Sequence, residues 1–467
     1  MEKDKRLLKG YSLNLDLNVE VFEPTSNEDL LKFLRDLPQE SLVSVMGSGL
    51  SYGDSFFPPR GNDSITISTR LLKNNITIDL HRNELTVSSG YKLNEILSFI
   101  SNYNFLIHAL PGTGDVSLGG AIANNVHGKD SWRVGNFNNN IISLLTCDRQ
   151  GFIHTLSIEE INKKRFILGV DLIILEATLK LQQKSNLYIE YSERSFDSIE
   201  DGIDLLITSR NDFDFIVGWV DCFNLKNKKP TGRGYISLAK FIGSDNKLER
   251  SKSQNPKVNR YIFGLNPIIF WRLIRFFYYP KTLKIFNSIK FRLAQNKFIS
   301  NIKRETHLLN WNFIHHKLPN MNLLHLPLGF IEVQAFFKIN TASSSVRELI
   351  NYCNEKKLQS ELCGIKIHPK KQGMNEPGFY DSESVSIGID VGLRRVRNAE
   401  SNLNLTKMID LIIKLGGNIY LTKDSICLSR QIEMMYPEYH LLLCEKIKNS
   451  DPIFKSGQTE RYTRGVI

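Results

Sequence analysis

Two glycine-rich stretches lie within the first 130 residues. The first, Gly47-Ser48-Gly49-Leu50-Ser51-Tyr52-Gly53-Asp54, follows directly on an apolar run at 42–46. Glycines let a backbone come close to a pyrophosphate, and successive N–H groups then face its oxygens. The spacing is not G-x-G-x-x-G opening a long helix, and no G-K-[ST] follows. Neither a Rossmann site nor a P-loop is expected. The second stretch, 111–129, starts at Pro111 and holds five glycines with Thr113, Ser117, Asn124 and Asn125 between them. Gly119-Gly120-Ala121-Ile122-Ala123 has too little side-chain bulk to keep a flat ring system away. His127 and Lys129 then arrive beside whatever is bound. Together the loops point to one extended ligand of dinucleotide size.

The elements that must position these loops alternate strand-like and helix-like patterns. Strands are predicted at 19–22, 42–46 and 66–68, and a hairpin at 76–79 and 84–88. Ser26 is a candidate cap for a helix over 29–37, and a second helix is expected over 93–103. Residues 111–129 read as loop. Strands follow at 141–148, 152–156 and 172–181. Further on, helices are expected at 197–209, 344–357, 403–415 and 429–435. Strands are expected at 213–221, 330–339, 365–369, 385–391 and 418–421. The last fifty residues read as short elements.

A chain of 467 residues exceeds what one core normally supports, so two domains are expected. With 41% apolar and 23% charged residues, global disorder is excluded. The six cysteines, Cys147, Cys222, Cys353, Cys363, Cys427 and Cys444, form no C-x-x-C pair, so a zinc site or disulfide framework is not expected. His315-His316 resembles a metal pair only superficially, because adjacent side chains diverge and acids are lacking nearby; no metal is expected. The N-terminus has no apolar leader core, and no run of 18 apolar residues occurs, so neither a signal peptide nor a membrane span is expected.

The basicity is local. Between Lys247 and Arg304 there are 14 Lys/Arg and one acid, Glu249, so this stretch carries +13, the whole chain +11 and the remainder −2. Within it, 266–286 reads NPIIFWRLIRFFYYPKTLKIF, with Pro280 expected to break any helix. Aromatic and aliphatic residues mixed with Arg272, Arg275, Lys281 and Lys284 have the composition of a membrane-surface element. The bland reading is a packed helical insertion with solvated cations. No nucleic-acid module surrounds the segment, and a nucleic-acid partner is not expected.

G-S-G-L-S-Y-G-D, followed about 60 residues later by P-G-T-x-x-x-x-x-G-G-A-I-A-x-N-x-H-G, resembles the FAD-binding domain of the vanillyl-alcohol oxidase (PCMH-type) superfamily. Further likeness at 172–178, Gly218-Trp219-Val220-Asp221, 329–336, 387–390, 419–425, Met434-Met435-Tyr436-Pro437 and Asp451-Pro452-Ile453-Phe454 points to its decaprenylphosphoryl-ribose oxidases. The match is poorest across 240–310. The resemblance implies an α+β fold: a two-lobed FAD domain over 1–190, a substrate domain with an antiparallel sheet and flanking helices over 191–414, and a segment over 415–467 that returns to the FAD domain.

The resemblance also assigns roles. Gly47, Ser48, Gly49, Leu50, Ser51, Tyr52, Gly53 and Asp54 would cradle the FAD pyrophosphate. Pro111, Gly112, Thr113, Ser117, Gly119, Gly120, Ala123 and Tyr420 would line the cofactor, with His127 beside it. Lys129, Trp219, Gln334, Lys366, Gly388 and Lys423 would face substrate. Tyr52 stands where sugar-lactone oxidases of the superfamily carry a flavin-linking His, so the FAD is expected to be noncovalent. Gly388 stands where mycobacterial relatives have a pocket cysteine, and Glu332 replaces a neutral amide.

Oxidising a sugar hydroxyl takes a hydride from carbon and a proton from oxygen, so a base is needed beside the flavin; His127 or Lys423 is the candidate, and Lys423 is expected to be essential. The activity implied is oxidation of a sugar hydroxyl as the oxidase half of a lipid-linked pentose 2′-epimerisation. A separate NAD(P)-dependent reductase would complete it, since the chain has no NAD fingerprint. The expected setting is cytoplasmic, at the inner face of the membrane, with contact through 247–304. The alternatives are a soluble aldonolactone or alditol oxidase, and a membrane- or polyanion-binding protein with a vestigial flavin fold.

Overall fold

The structure, a computed structural model, describes residues 4–38, 40–60, 64–243, 259–296, 303–370, 382–396, 398–449 and 452–465. Three sheets organise it. Asp4–Lys9, Asp16–Phe22, Ser64–Ser68 and Leu42–Met46 lie in that order in a mixed four-stranded sheet. Ile76–Asp79, Glu84–Ser88, Leu172–Lys180, Ile141–Asp148 and Ile153–Leu156 make an antiparallel five-stranded sheet. The third sheet is antiparallel and eight-stranded, in the order Arg304–His307, Tyr188–Phe196, Gly234–Phe241, Phe215–Val220, Cys363–His368, Ser384–Gly392, Phe330–Lys338, Asn418–Ile419. The α+β class is as the sequence predicts.

The large sheet has one apolar face and one polar face, because its strands alternate. Ile331, Val333, Ala335 and Phe337, with Cys363, Ile365, Ile367, Val385, Ile387, Ile389 and Val391, fill a single core. The helices Ile199–Ser209, Ala342–Glu355 and Ala399–Lys414 close that core with Ile203, Leu206, Leu349, Ile350, Met408 and Ile412. Burying each such side chain contributes about 1.5–3 kcal/mol. The face left over carries the site.

The five-stranded sheet packs on Leu93–Ser101 through Leu85, Val87, Ile96, Leu97, Ala177 and Leu179. The four-stranded sheet packs on Asn27–Asp36, where Ser26 Oγ accepts from Asp29 N at 3.1 Å as its cap. Phe454, far along the chain, completes that third cluster beside Leu30 and Ile67.

Four local readings change. Asp4–Lys9 is a strand, antiparallel to Asp16–Phe22, in a segment whose charges hid its alternation. The glycine stretch 111–129 contains a short helix, Leu118–Ala123, capped by Ser117, whose Oγ accepts from Gly120 N. Gly119 and Gly120 lower helix propensity, but the cap and the buried Leu118, Ala121 and Ile122 decide the conformation. Pro280 does separate two helices, but it does so by opening the second at its first position, where the missing N–H costs nothing. Near the C-terminus, Pro437–Lys448 is a 12-residue helix rather than another short element.

Candidate active site

The polar face of the large sheet presents Glu332, Gln334 and Phe336 from one strand, Ser384, Ser386, Gly388 and Asp390 from the next, and Gly364, Lys366 and His368 from the third. All lie opposite the core residues that alternate with them. The second glycine loop delivers His127 onto this face. Lys366 Nζ donates to His127 Nδ1 at 3.3 Å. His127 Nε2 meets Gln334 Oε1 at 3.2 Å, Gln334 Nε2 donates to Ser386 Oγ at 3.0 Å, and Ser386 Oγ lies 2.7 Å from His368 Nε2. One set of proton positions satisfies this chain: His127 protonated on Nε2 and Ser386 donating to His368. Gln334, whose exposure periodicity alone left open, is 4% exposed and sits in the middle of the chain.

The electrostatics follow from burial and from crowding of like charge. Desolvation, with Lys366 nearby, pushes the His127 imidazolium well below the usual histidine range. Burial and Lys423 bring Lys366 down to about 7. Burial also lowers Lys129 and His368 strongly. Asp390, buried and paired across the strands with Glu332, is pushed well above the carboxylate range. Glu332 forms an ion pair with Lys423 Nζ, which also lies 5.2 Å from the Tyr52 ring.

Other expected residues take specific places. Lys129 Nζ donates to the carbonyls of Trp311 (3.1 Å) and Asn312 (3.0 Å) and lies 4.1 Å over the Trp311 ring. Tyr420 is buried, donates from its hydroxyl to Asn124 O at 2.7 Å and lies 5.2 Å from the His127 ring. Trp219 lies across the sheet from Gln334, beneath Lys290 Nζ at 3.9 Å. Tyr52 packs on Tyr11 at 5.1 Å and on Phe330 at 5.7 Å. Thr113 Oγ1 accepts from Asp115 N, closing the turn after Pro111 and Gly112. His315 and His316 part company: Tyr11 Oη is 2.9 Å from His315 Nδ1, while His316 Nε2 accepts from Gly114 N. No group of three metal-ligating side chains occurs among the described residues.

The first glycine loop is held from two sides. A Cβ on Gly47 would overlap Ser117 Oγ, and one on Gly53 would overlap Asp424 O. Gly49, between them, sits at φ +67°, which suits glycine. Asp54 binds Arg461 through both carboxylate oxygens, at 2.7 and 3.0 Å, so its side chain serves the loop's anchorage and only its backbone can serve a ligand. Arg461 also reaches Asp424 Oδ2 at 2.7 Å, and the Tyr462 hydroxyl donates to the same oxygen at 2.8 Å.

Arg461, Asp424, Tyr11, Trp311, His368, Ser386 and Asp390 were not singled out from sequence. For the last three a signal existed, the strict alternation of 363–368 and 384–392. For the others none did.

These parts fit a flavin dinucleotide. Two small-residue loops meet edge to edge, and the adjoining face brings Lys129, Lys366 and Lys423 together, with Glu332, Asp390 and Asp130 near them; lysines so placed suit an anionic, electron-accepting group. Residues 20–157 match the FAD binding domain family. The chain is an FAD-dependent oxidoreductase. The flavoenzyme is 22% identical to the decaprenylphosphoryl-beta-D-ribose oxidase of Mycolicibacterium smegmatis over 439 residues, 90% of this chain and 88% of that protein. It is 28% identical to the mitochondrial D-lactate dehydrogenase (cytochrome) 1 of Saccharomyces cerevisiae over 126 residues, 26% of this chain and 21% of that one. It is also 28% identical to L-gulonolactone oxidase 3 of Arabidopsis thaliana over 191 residues, 38% of this chain and 32% of that one. Similarity to the last two is confined to less than two fifths of the flavoenzyme, whereas the first spans both the glycine loops and the large sheet.

Proposed function

We propose that this oxidoreductase oxidises a hydroxyl of a pentose carried on a polyprenyl phosphate, as the oxidising half of a 2′-epimerisation. A separate NAD(P)-dependent reductase returns the ketone to an alcohol. The observation that carries the reading is the reach of the similarity: the ribose oxidase of M. smegmatis aligns over 90% of the chain and so is not confined to the FAD binding domain match.

FAD, when bound, accepts the two electrons that leave with the carbon-bound hydrogen. The rest falls to side chains. The hydroxyl proton goes to Lys366 Nζ, whose neutral amine accepts it while staying hydrogen-bonded to His127 Nδ1. His127 alone suits the task less well, because both its ring nitrogens are engaged. Lys423, held by Glu332, offers positive charge to the oxygen on which negative charge develops. Gln334 and Ser386 fix the imidazole tautomer and ring plane. Tyr52, a phenol where a linking histidine would stand, leaves the cofactor noncovalent.

Anaerobic mixing with polyprenylphosphoryl ribose tests this. Bleaching of the flavin absorbance by the lipid-linked sugar, and not by free aldonolactones, polyols or D-lactate, is the expected result. Bleaching by a free lactone alone, with peroxide formed in air, would replace the reading by a lactone oxidase.

A further inference from the structure

Thirteen of the 28 large apolar side chains exposed among the described residues fall within 261–293. Phe263 is 92% exposed, Phe276 67%, Phe277 64% and Phe286 63%. Scattered exposed apolar residues need no explanation, but a concentration of this kind does. The same stretch, 259–296, holds seven Lys/Arg and no Asp or Glu.

The helix Pro280–Gln295 shows how the patch is built. Its inner face, Leu283, Asn287, Phe291 and Ala294, is buried against the large sheet, with Asn287 Nδ2 donating to Asp221 Oδ1 at 3.0 Å. Its outer face carries Ile285, Phe286, Ile289 and Leu293 in one stripe, flanked by Lys281, Lys284 and Arg292. A helix apolar on both faces has a second apolar neighbour. The preceding helix, Pro267–Ile274, repeats the pattern: Trp271 is buried and donates to Pro319 O at 2.6 Å, while Ile268, Ile269 and Leu273 point outward. Arg394 ties the pair to the sheet through the carbonyls of Arg275 (2.9 Å) and Tyr278 (3.4 Å). No helix among the described residues is long and apolar enough to cross a membrane.

We propose that residues 261–293 form an interfacial element that docks this enzyme on the surface of an anionic lipid bilayer. Aromatic and aliphatic side chains enter the headgroup boundary, and the uniformly cationic flank meets lipid phosphates. Charge complementarity favours this occupant: a patch with cations and no carboxylate repels a second copy of itself. The docked surface lies next to the polar face, because Lys290, on the inner side of the same helix, caps Trp219. This proposal concerns a surface and stands whether or not the pentose reading does.

The test is flotation of the FAD-loaded full chain with phosphatidylcholine vesicles, with and without phosphatidylglycerol, at low and high salt. Binding to the anionic vesicles, weakened by salt, is expected. The combined Phe276→Ser, Phe277→Ser, Phe286→Ser change should lower partitioning more than about tenfold at an unchanged flavin spectrum. Lys281→Glu with Lys284→Glu should lower it by about fivefold per charge removed. Should the aromatic variant lose its flavin, the charge pair decides. Absence of flotation with either vesicle, or equal flotation of wild type and variants, overturns the proposal. So does a wild-type dimer that the aromatic variant converts to monomer without any vesicle binding.

Discussion

Gln334 and Trp219 stand in one register row of the large sheet, three strands apart, and the two residues between them, Gly388 and Gly364, have no side chains. At the usual strand spacing this is a trough about 14 Å long. A Cβ on Gly388 would meet Glu332 Oε1 at 3.3 Å and otherwise point into it. Gly388→Leu fills the trough. The expected result is a rise in KM of about tenfold or more for substrate with FAD content unchanged, read by steady-state kinetics and the flavin spectrum.

The same position decides reactivity toward thiol reagents. All six cysteines are buried. Native protein should take no label from an electrophile directed at the site, and Gly388→Cys should take one, counted by intact mass. Labelling of the native protein would show that a buried thiol opens.

Lys423→Ala should retain FAD and lose about 100-fold or more in the rate of flavin bleaching, since it removes a charge that acts on the developing oxyanion. Turnover at the parent rate would remove Lys423 from the mechanism.

The pH profile reports Lys366. A base works unprotonated, and burial brings this amine down to about 7. Bleaching rate should therefore rise with pH through about 7 and level off above it. Lys366→Arg cannot lose its proton in this range. It should be slow at every pH and lack that inflection, while Lys366→Met lacks it for want of any titrating group.

Arg461→Ala leaves the carboxylates of Asp54 and the fully buried Asp424 without their cation. Loss of about 3–5 kcal/mol of stability is expected, measured by denaturant unfolding, together with weaker FAD retention because the 47–54 loop loses its anchor.

How much of this was legible in the sequence depends on the range of the interaction. The 42–54 strand-and-loop and the hairpin at 76–88 rest on local chemistry, and both stand. Lys366 and Gln334 were found through resemblance. Their neighbours His368 and Ser386 carried an equal signal in the alternation of their strands, and period two could have found them. The Asp54–Arg461 pair spans 407 residues, and nothing near either residue announces the other. The outward stripe on Pro280–Gln295 was visible as composition, but only the packing of Leu283 and Phe291 shows which face is left over.

The split character of the large sheet has an evolutionary side. Residues 331, 333, 335 and 337 fill the core, while 332, 334 and 336 lie on the opposite face, which carries the candidate site. A lineage can rewrite its chemical preference at even positions while the odd ones keep the fold. Descendants of such a scaffold are thereby free to diverge in what they oxidise far faster than in how they are built.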